Sequence, residues 1–133
     1  MASFLSPILV APEKRFALCN DRTTAAIATR LETAFDSAAR RRGLLGRTSF
    51  EPGGALIIAP CTAVHTFFMR MVIDVVFASR DGRVLKTYPR LPAWRIACAL
   101  RGFAAIELPP GTVEARDIGE GDRLLLTPIG SDG

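Results

Sequence analysis

Apolar and polar positions alternate over short stretches of this chain, and glycine, proline or asparagine–aspartate clusters interrupt them at short intervals. Arg15-Phe16-Ala17-Leu18-Cys19-Asn20 predicts a strand that ends in the turn-forming cluster Asn20 to Thr24. Residues 25–35 suit either a helix face, through Ile27, Leu31 and Phe35, or a strand; the alternation from Ala28 to Ala34 favours the strand. Asp36 or Ser37 then caps a short helix from Ala38 to about Leu45, and Gly43 and Gly46 bracket its end. Ala55-Leu56-Ile57-Ile58-Ala59 is apolar at every position and therefore reads as a strand buried on both faces.

After Pro60 the pattern places Val64, Thr66 and Phe68 on one face of a strand and His65, Phe67 and Met69 on the other. A break at Arg70-Met71-Val72 leads into a strand from Ile73 to Arg80. Asp81-Gly82 then turns the chain into Arg83 to Tyr88, because a tight hairpin needs the positive φ that glycine supplies. Pro89 to Leu100 reads as a loop holding Trp94; Phe103 to Leu108 as a strand; Thr112 as the cap of one helical turn; and Arg123 to Thr127 as the last strand. The expected fold is mainly β: a single-domain β-sandwich or partly open barrel with two short helices. Residues 1–14 are expected as a loosely packed N-terminal extension, 15–128 as one β-rich domain, and 129–133 as a frayed tail.

Composition narrows the function classes. A chain of 133 residues supports one domain with a real core, and 49% apolar with 23% charged residues excludes a disordered chain. A net charge of +4 makes nucleic-acid binding conceivable but not favoured. The densest basic run, Arg40-Arg41-Arg42 with Arg47 after it, reads as a solvated helix face, with a phosphate-binding patch as the alternative. Cys19, Cys61 and Cys98 are odd in number and widely spaced, which fits a reducing, cytoplasmic compartment. The apolar piece Pro7 to Ala11 lacks a preceding basic residue and is too short to span a bilayer, so no signal peptide and no membrane span are expected.

The chemistry concentrates between residues 61 and 77. That stretch holds the only histidine, His65, together with Cys61 and with Asp74, a carboxylate flanked by Ile73, Val75, Val76 and Phe77. A buried charge needs hydrogen bonds or a cation, so Asp74 is expected to accept main-chain N–H groups from the 70–72 corner, to pair with an arginine, or to orient His65. His65 reads as a core imidazole, a general base or a ligand. Cys61, His65 and Asp74 together are the candidate catalytic set for thiol chemistry, which requires thiolate and imidazole within hydrogen-bond reach. The same three could supply zinc ligands, yet the chain has no second histidine and no paired cysteines, so no metal site and no cofactor are assigned. Phe67, Phe68, Tyr88 and Trp94 could line a groove or simply close one end of the core. Arg70 and Arg95 could meet an anionic ligand near those rings or neutralise Asp74 or Glu107.

Arg42-Gly43-Leu44-Leu45-Gly46-Arg47, Pro60-Cys61, Val64-His65-Thr66-Phe67-Phe68-Met69-Arg70 and Ile73-Asp74-Val75-Val76-Phe77 resemble, in that order, the prokaryotic family called domain of unknown function 192. Asp81-Gly82-Arg83-Val84, Pro92-Ala93-Trp94-Arg95, Glu107-Leu108-Pro109-Pro110-Gly111-Thr112 and Gly121-Asp122 continue the likeness, which runs over residues 15–126. The resemblance implies a small β-sandwich-like fold with short helices and implies no reaction. Val72 stands where the family pattern has proline, so this corner lacks a constraint worth about 0.4–1 kcal/mol where φ suits it.

Two functional expectations follow. The preferred one is a non-catalytic ligand-binding or accessory domain for a small ligand or protein partner. Its pocket would lie near His65, Thr66, Arg70, Asp74 and Trp94. The alternative is a thiol- or metal-dependent enzyme using Cys61, His65 and Asp74.

Overall fold

A computed structural model describes residues 2–130 of the chain. Its centre is a five-stranded sheet in the order β3 (Arg30–Ala34), β4 (Gly54–Ile58), β9 (Ala104–Leu108), β6 (Ile73–Ala78), β7 (Val84–Leu91). The β3–β4 pair is parallel and the other three pairs are antiparallel. β4, β9 and β6 are buried at every position, which accounts for their apolar sequence, interrupted only by Glu107 in β9 and Asp74 in β6. A second, three-stranded sheet runs β10 (Leu124–Pro128), β1 (Phe16–Asn20), β2 (Ala25–Ala28), and β5 (Ala63–His65) pairs with β8 (Ile96–Cys98) as a two-stranded flap. The mainly β expectation holds, and no sheet closes into a barrel among the described residues.

Side chains of a strand point alternately to its two faces, so the central sheet carries two cores. Ala55, Ile57, Val76, Ala78, Ile106 and Leu108 face the three-stranded sheet and meet Phe16, Leu18, Leu124 and Leu126. Leu56, Ile58, Val75, Phe77 and Ala105 face the other way. They are covered by Leu44, Met69, Ala97 and Ala99, that is, by the loop after α2 (Ser37–Arg42) and by the flap. Asp36 caps α2 as expected, its Oδ1 accepting the Ala39 N–H at 2.8 Å. The expected strand content of residues 25–35 is also present, divided into β2 and β3.

Three expectations need correction. Of the expected loose extension at 1–14, residue 1 lies outside the described residues and the described residues 2–14 are packed. Leu5 is 1% exposed within the core, Phe4 and Ile8 pack beside it, and the Phe4 N–H donates to Arg80 O. The cause is α1 (Ser6–Val10), a third helix, which turns Leu5 and Ile8 toward the same core. Residues 61–69 do not form one strand, because β5 stops at His65 and Phe68 takes a positive φ of 66°. The loop expected at 89–100 shrinks to the residues between β7 and β8. β7 runs through Pro89 to Leu91, which is tolerated because β7 is an edge strand and its register against β6 shifts between Ile73 and Val75, opposite Pro89. Of the expected frayed tail, Ile129 donates its N–H to Arg15 O, while residues 131–133 lie outside the described residues.

Candidate functional site

A cleft of about 480 Å³ opens between the α2 segment and the flap, on the face of the central sheet that the flap covers. Its walls include Arg40, Arg41 and Arg42 from the helix, Cys61 to His65 from the flap strand and the residues before it, and Phe67 and Met69 beyond. The basic run noted in the sequence therefore borders a concavity. Arg40 is half-buried and tied down, its Nη1 donating to Phe35 O at 2.8 Å. Arg41 and Arg42 are exposed and have no carboxylate partner among the described residues.

Glu107 lies at the base of this cleft. It is the penultimate residue of β9, opposite Leu56 on one side and Val75 on the other. It is 4% exposed, and its Oε1 has no hydrogen-bond partner among the described residues. Burial pushes its pKa up to about 7, against the opposing positive charge of Arg47. Arg47 does not neutralise it directly, because that guanidinium is held by both carboxylate oxygens of Glu32, at 2.9 and 2.7 Å. Sequence reasoning treated Glu107 only as a counter-ion for an arginine. The available signal was the one that singled out Asp74: a lone carboxylate in a strand whose other positions are all apolar.

Asp74 goes elsewhere. On β6 it alternates with Val75 and shares the face of Val76 and Ala78, so it points to the opposite side of the sheet from Glu107. It is fully buried. Its Oδ1 accepts the N–H groups of Arg90 at 2.8 Å and Gly111 at 3.1 Å, and its Oδ2 accepts that of Val113 at 2.8 Å. Main-chain donors were anticipated, but they come from these three positions and not from the 70–72 corner. Cys61 and His65 both border the cleft, and Asp74 is not brought to either of them. The Cys61 thiol donates to Ala63 O at 3.1 Å, and burial raises its pKa. His65 is exposed, and its Nδ1 accepts the Phe67 N–H at 3.3 Å, which leaves Nε2 to carry the proton of the neutral ring. Among the described residues, no three His, Cys, Asp or Glu side chains are grouped so as to hold a metal ion.

Thr66 organises the mouth of the flap. Fully buried, it donates its hydroxyl to Pro92 O at 2.6 Å and accepts the Arg95 N–H on the same oxygen at 2.9 Å. Its own N–H goes to Arg95 O, and its carbonyl accepts from Trp94 and Met69. This knot holds Phe68 and Trp94 each at φ 66°, a left-handed conformation that is uncommon for bulky residues. Both rings project outward, 69% and 57% exposed. With His65 and Phe67 they form a continuous row: His65 to Phe67 at 4.9 Å, Phe67 to Trp94 at 5.7 Å, Trp94 to Phe68 at 4.6 Å. The row starts in the cleft and ends on the surface. Arg70 is exposed and does not border the cleft, and Arg95 folds back toward Ala93 O and Trp94 O.

The family model DUF192, described as an uncharacterized ACR, matches residues 18–126. No curated protein matches the chain. Among solved structures, a candidate transcription regulator from Sinorhizobium meliloti 1021 superposes with a TM-score of 0.71 at 21% identity, over 85% of this chain and 92% of that one. A protein of unknown function from Novosphingobium aromaticivorans DSM 12444 gives 0.68 at 18% identity, over 83% and 82% of the two chains. At these identities the likenesses concern the fold alone.

Proposed function

The chain belongs to the DUF192 family, which carries no assigned reaction, and from that starting point we propose that this domain is a non-catalytic ligand-binding module. Its site is the cleft between α2 and the flap, with His65 and Phe67 as one wall and Trp94 continuing that wall outward. The observation that carries this reading is a cleft of about 480 Å³, within the size range of small-molecule sites, with a buried, unpartnered carboxyl at its base. Thr66 serves the site by fixing the main chain at its mouth, whereas Asp74 fixes main chain on the opposite face of the sheet. Arg70, exposed and outside the cleft lining, is not part of the site. The three cysteines are free, which supports the cytoplasmic setting expected from the sequence.

The enzyme alternative draws less support, since a thiol with a raised pKa is a poor nucleophile and Asp74 faces away from His65. A screen of small metabolites, read by Trp94 fluorescence and by the His65 ring signals in NMR, tests the reading. Bound compounds should move both signals, and His65→Ala should weaken binding at least about tenfold without unfolding the protein. A reproducible turnover that His65→Ala abolishes would replace the binding module with an enzyme.

A further inference from the structure

The Glu107 carboxyl constrains what can occupy the cleft. An apolar occupant would leave Oε1 desolvated and unpaired, at the cost of a lost hydrogen bond, so the ligand must bring a donor. An ammonium donor is disfavoured twice. It must pass three arginines on the cleft wall, and it would form a buried ion pair whose desolvation offsets its attraction. A neutral hydroxyl avoids both costs. Arg41 and Arg42, charged and free of carboxylates among the described residues, favour an anionic group on the same ligand. The face of the Phe67 ring, which lines the cleft, carries negative π density that attracts the polarised C–H face of a pyranose.

Resting on the binding-module reading, we infer that the occupant is a hydroxylated organic anion, a sugar acid or sugar phosphate. A ligand hydroxyl donates to Glu107, and the anionic group meets Arg41 and Arg42. Glu107 is then the residue that determines specificity.

The test titrates the full chain with glucuronate, a hexose monophosphate, glucose, cyclohexanecarboxylate and inorganic phosphate near neutral pH, following His65 and Trp94. At least one of the two anionic sugars should bind about tenfold or more tighter than glucose, cyclohexanecarboxylate or phosphate alone. The stronger of the two identifies the anion as carboxylate or phosphate. Glu107→Leu should remove the advantage over cyclohexanecarboxylate, and Arg41→Ala with Arg42→Ala should remove the advantage over glucose. A thermal melt of each variant confirms that it is folded. Equal affinities across the series overturn the inference. So does a series that leaves His65 unmoved while an uncharged apolar probe such as indole shifts it, although the binding module then stands. Binding that moves neither His65 nor Trp94 overturns both.

Discussion

Trp94 donates its main-chain N–H to the carbonyl of Thr66 at 3.1 Å, while the Thr66 hydroxyl bridges Pro92 O and the Arg95 N–H on either side of that tryptophan. One buried side chain thus fixes the loop that carries the chain's only tryptophan in a left-handed backbone conformation. Thr66→Val preserves the shape and deletes the hydroxyl, leaving a donor and an acceptor without their partner. The expected loss is about 2 kcal/mol. It should be visible as an earlier denaturant midpoint followed by Trp94 fluorescence, with faster amide exchange at Arg95. Unchanged exchange at Arg95 would show that the hydroxyl does not hold this loop.

Asp74 plays the same part on the opposite face of the sheet, where it joins β6 to the Arg90 position of β7 and to the entry of α3 (Thr112–Ala115). Gly111, one of its donors, has φ 92°, and a Cβ there would come within 3.2 Å of the Arg90 guanidinium. Asp74→Asn retains one acceptor but turns an amide N–H₂ toward donors that already point at it. A destabilisation of roughly 3 kcal/mol follows from breaking a fully buried charged network. Equilibrium unfolding measures it. Cleft binding by the folded fraction should be unaffected, and a selective loss of binding at full stability would return Asp74 to the site.

The strands were legible because their cause is local. Alternation from Ala28 to Ala34, the unbroken apolar run at 55–59 and the Asp81-Gly82 turn each declare themselves within a few residues. The separation of His65 from Asp74 was not legible, because it depends on which face of the sheet each residue meets. Strand parity fixes the face relative to neighbours on the same strand, but only tertiary packing decides that the flap covers the side of Val75 and not of Val76. Glu107 was overlooked for a related reason. Its sequence context marks a buried carboxylate as clearly as that of Asp74 does, yet only the folded neighbours show that one finds three donors and the other none. The buried role of Leu5 likewise depends on a core supplied by strands distant in sequence.

Cysteine reactivity separates the two functional readings. Cys61 is half-buried with its pKa raised, first by burial and further by the negative charge of Glu107, whereas Cys98 is exposed. Iodoacetamide at neutral pH should therefore modify Cys98 before Cys61, with mass spectrometry of timed digests giving the order. Rapid labelling of Cys61 ahead of Cys98 would reveal an activated thiolate and restore the enzyme alternative.

Glu107 should also leave a mark on stability. Its folded pKa, up to about 7, lies above the ordinary value of 4.5, so between these values the native state binds a proton that the unfolded chain has released. Stability then falls as pH rises through that window and levels off above about 7. The shift corresponds to a penalty on the order of 3 kcal/mol at high pH. Glu107→Gln cannot ionise and keeps the side-chain volume. It should be less sensitive to pH than the native protein and should melt higher than it at alkaline pH, with the gap narrowing toward pH values near the ordinary carboxylate range. Thermal denaturation across that range checks the sign. A native protein whose melting temperature rises from mildly acidic to mildly alkaline pH, in parallel with the glutamine variant, would mean that the carboxyl is ionised and partnered in the fold. The cleft would then lack the unpaired acceptor on which its proposed selectivity depends.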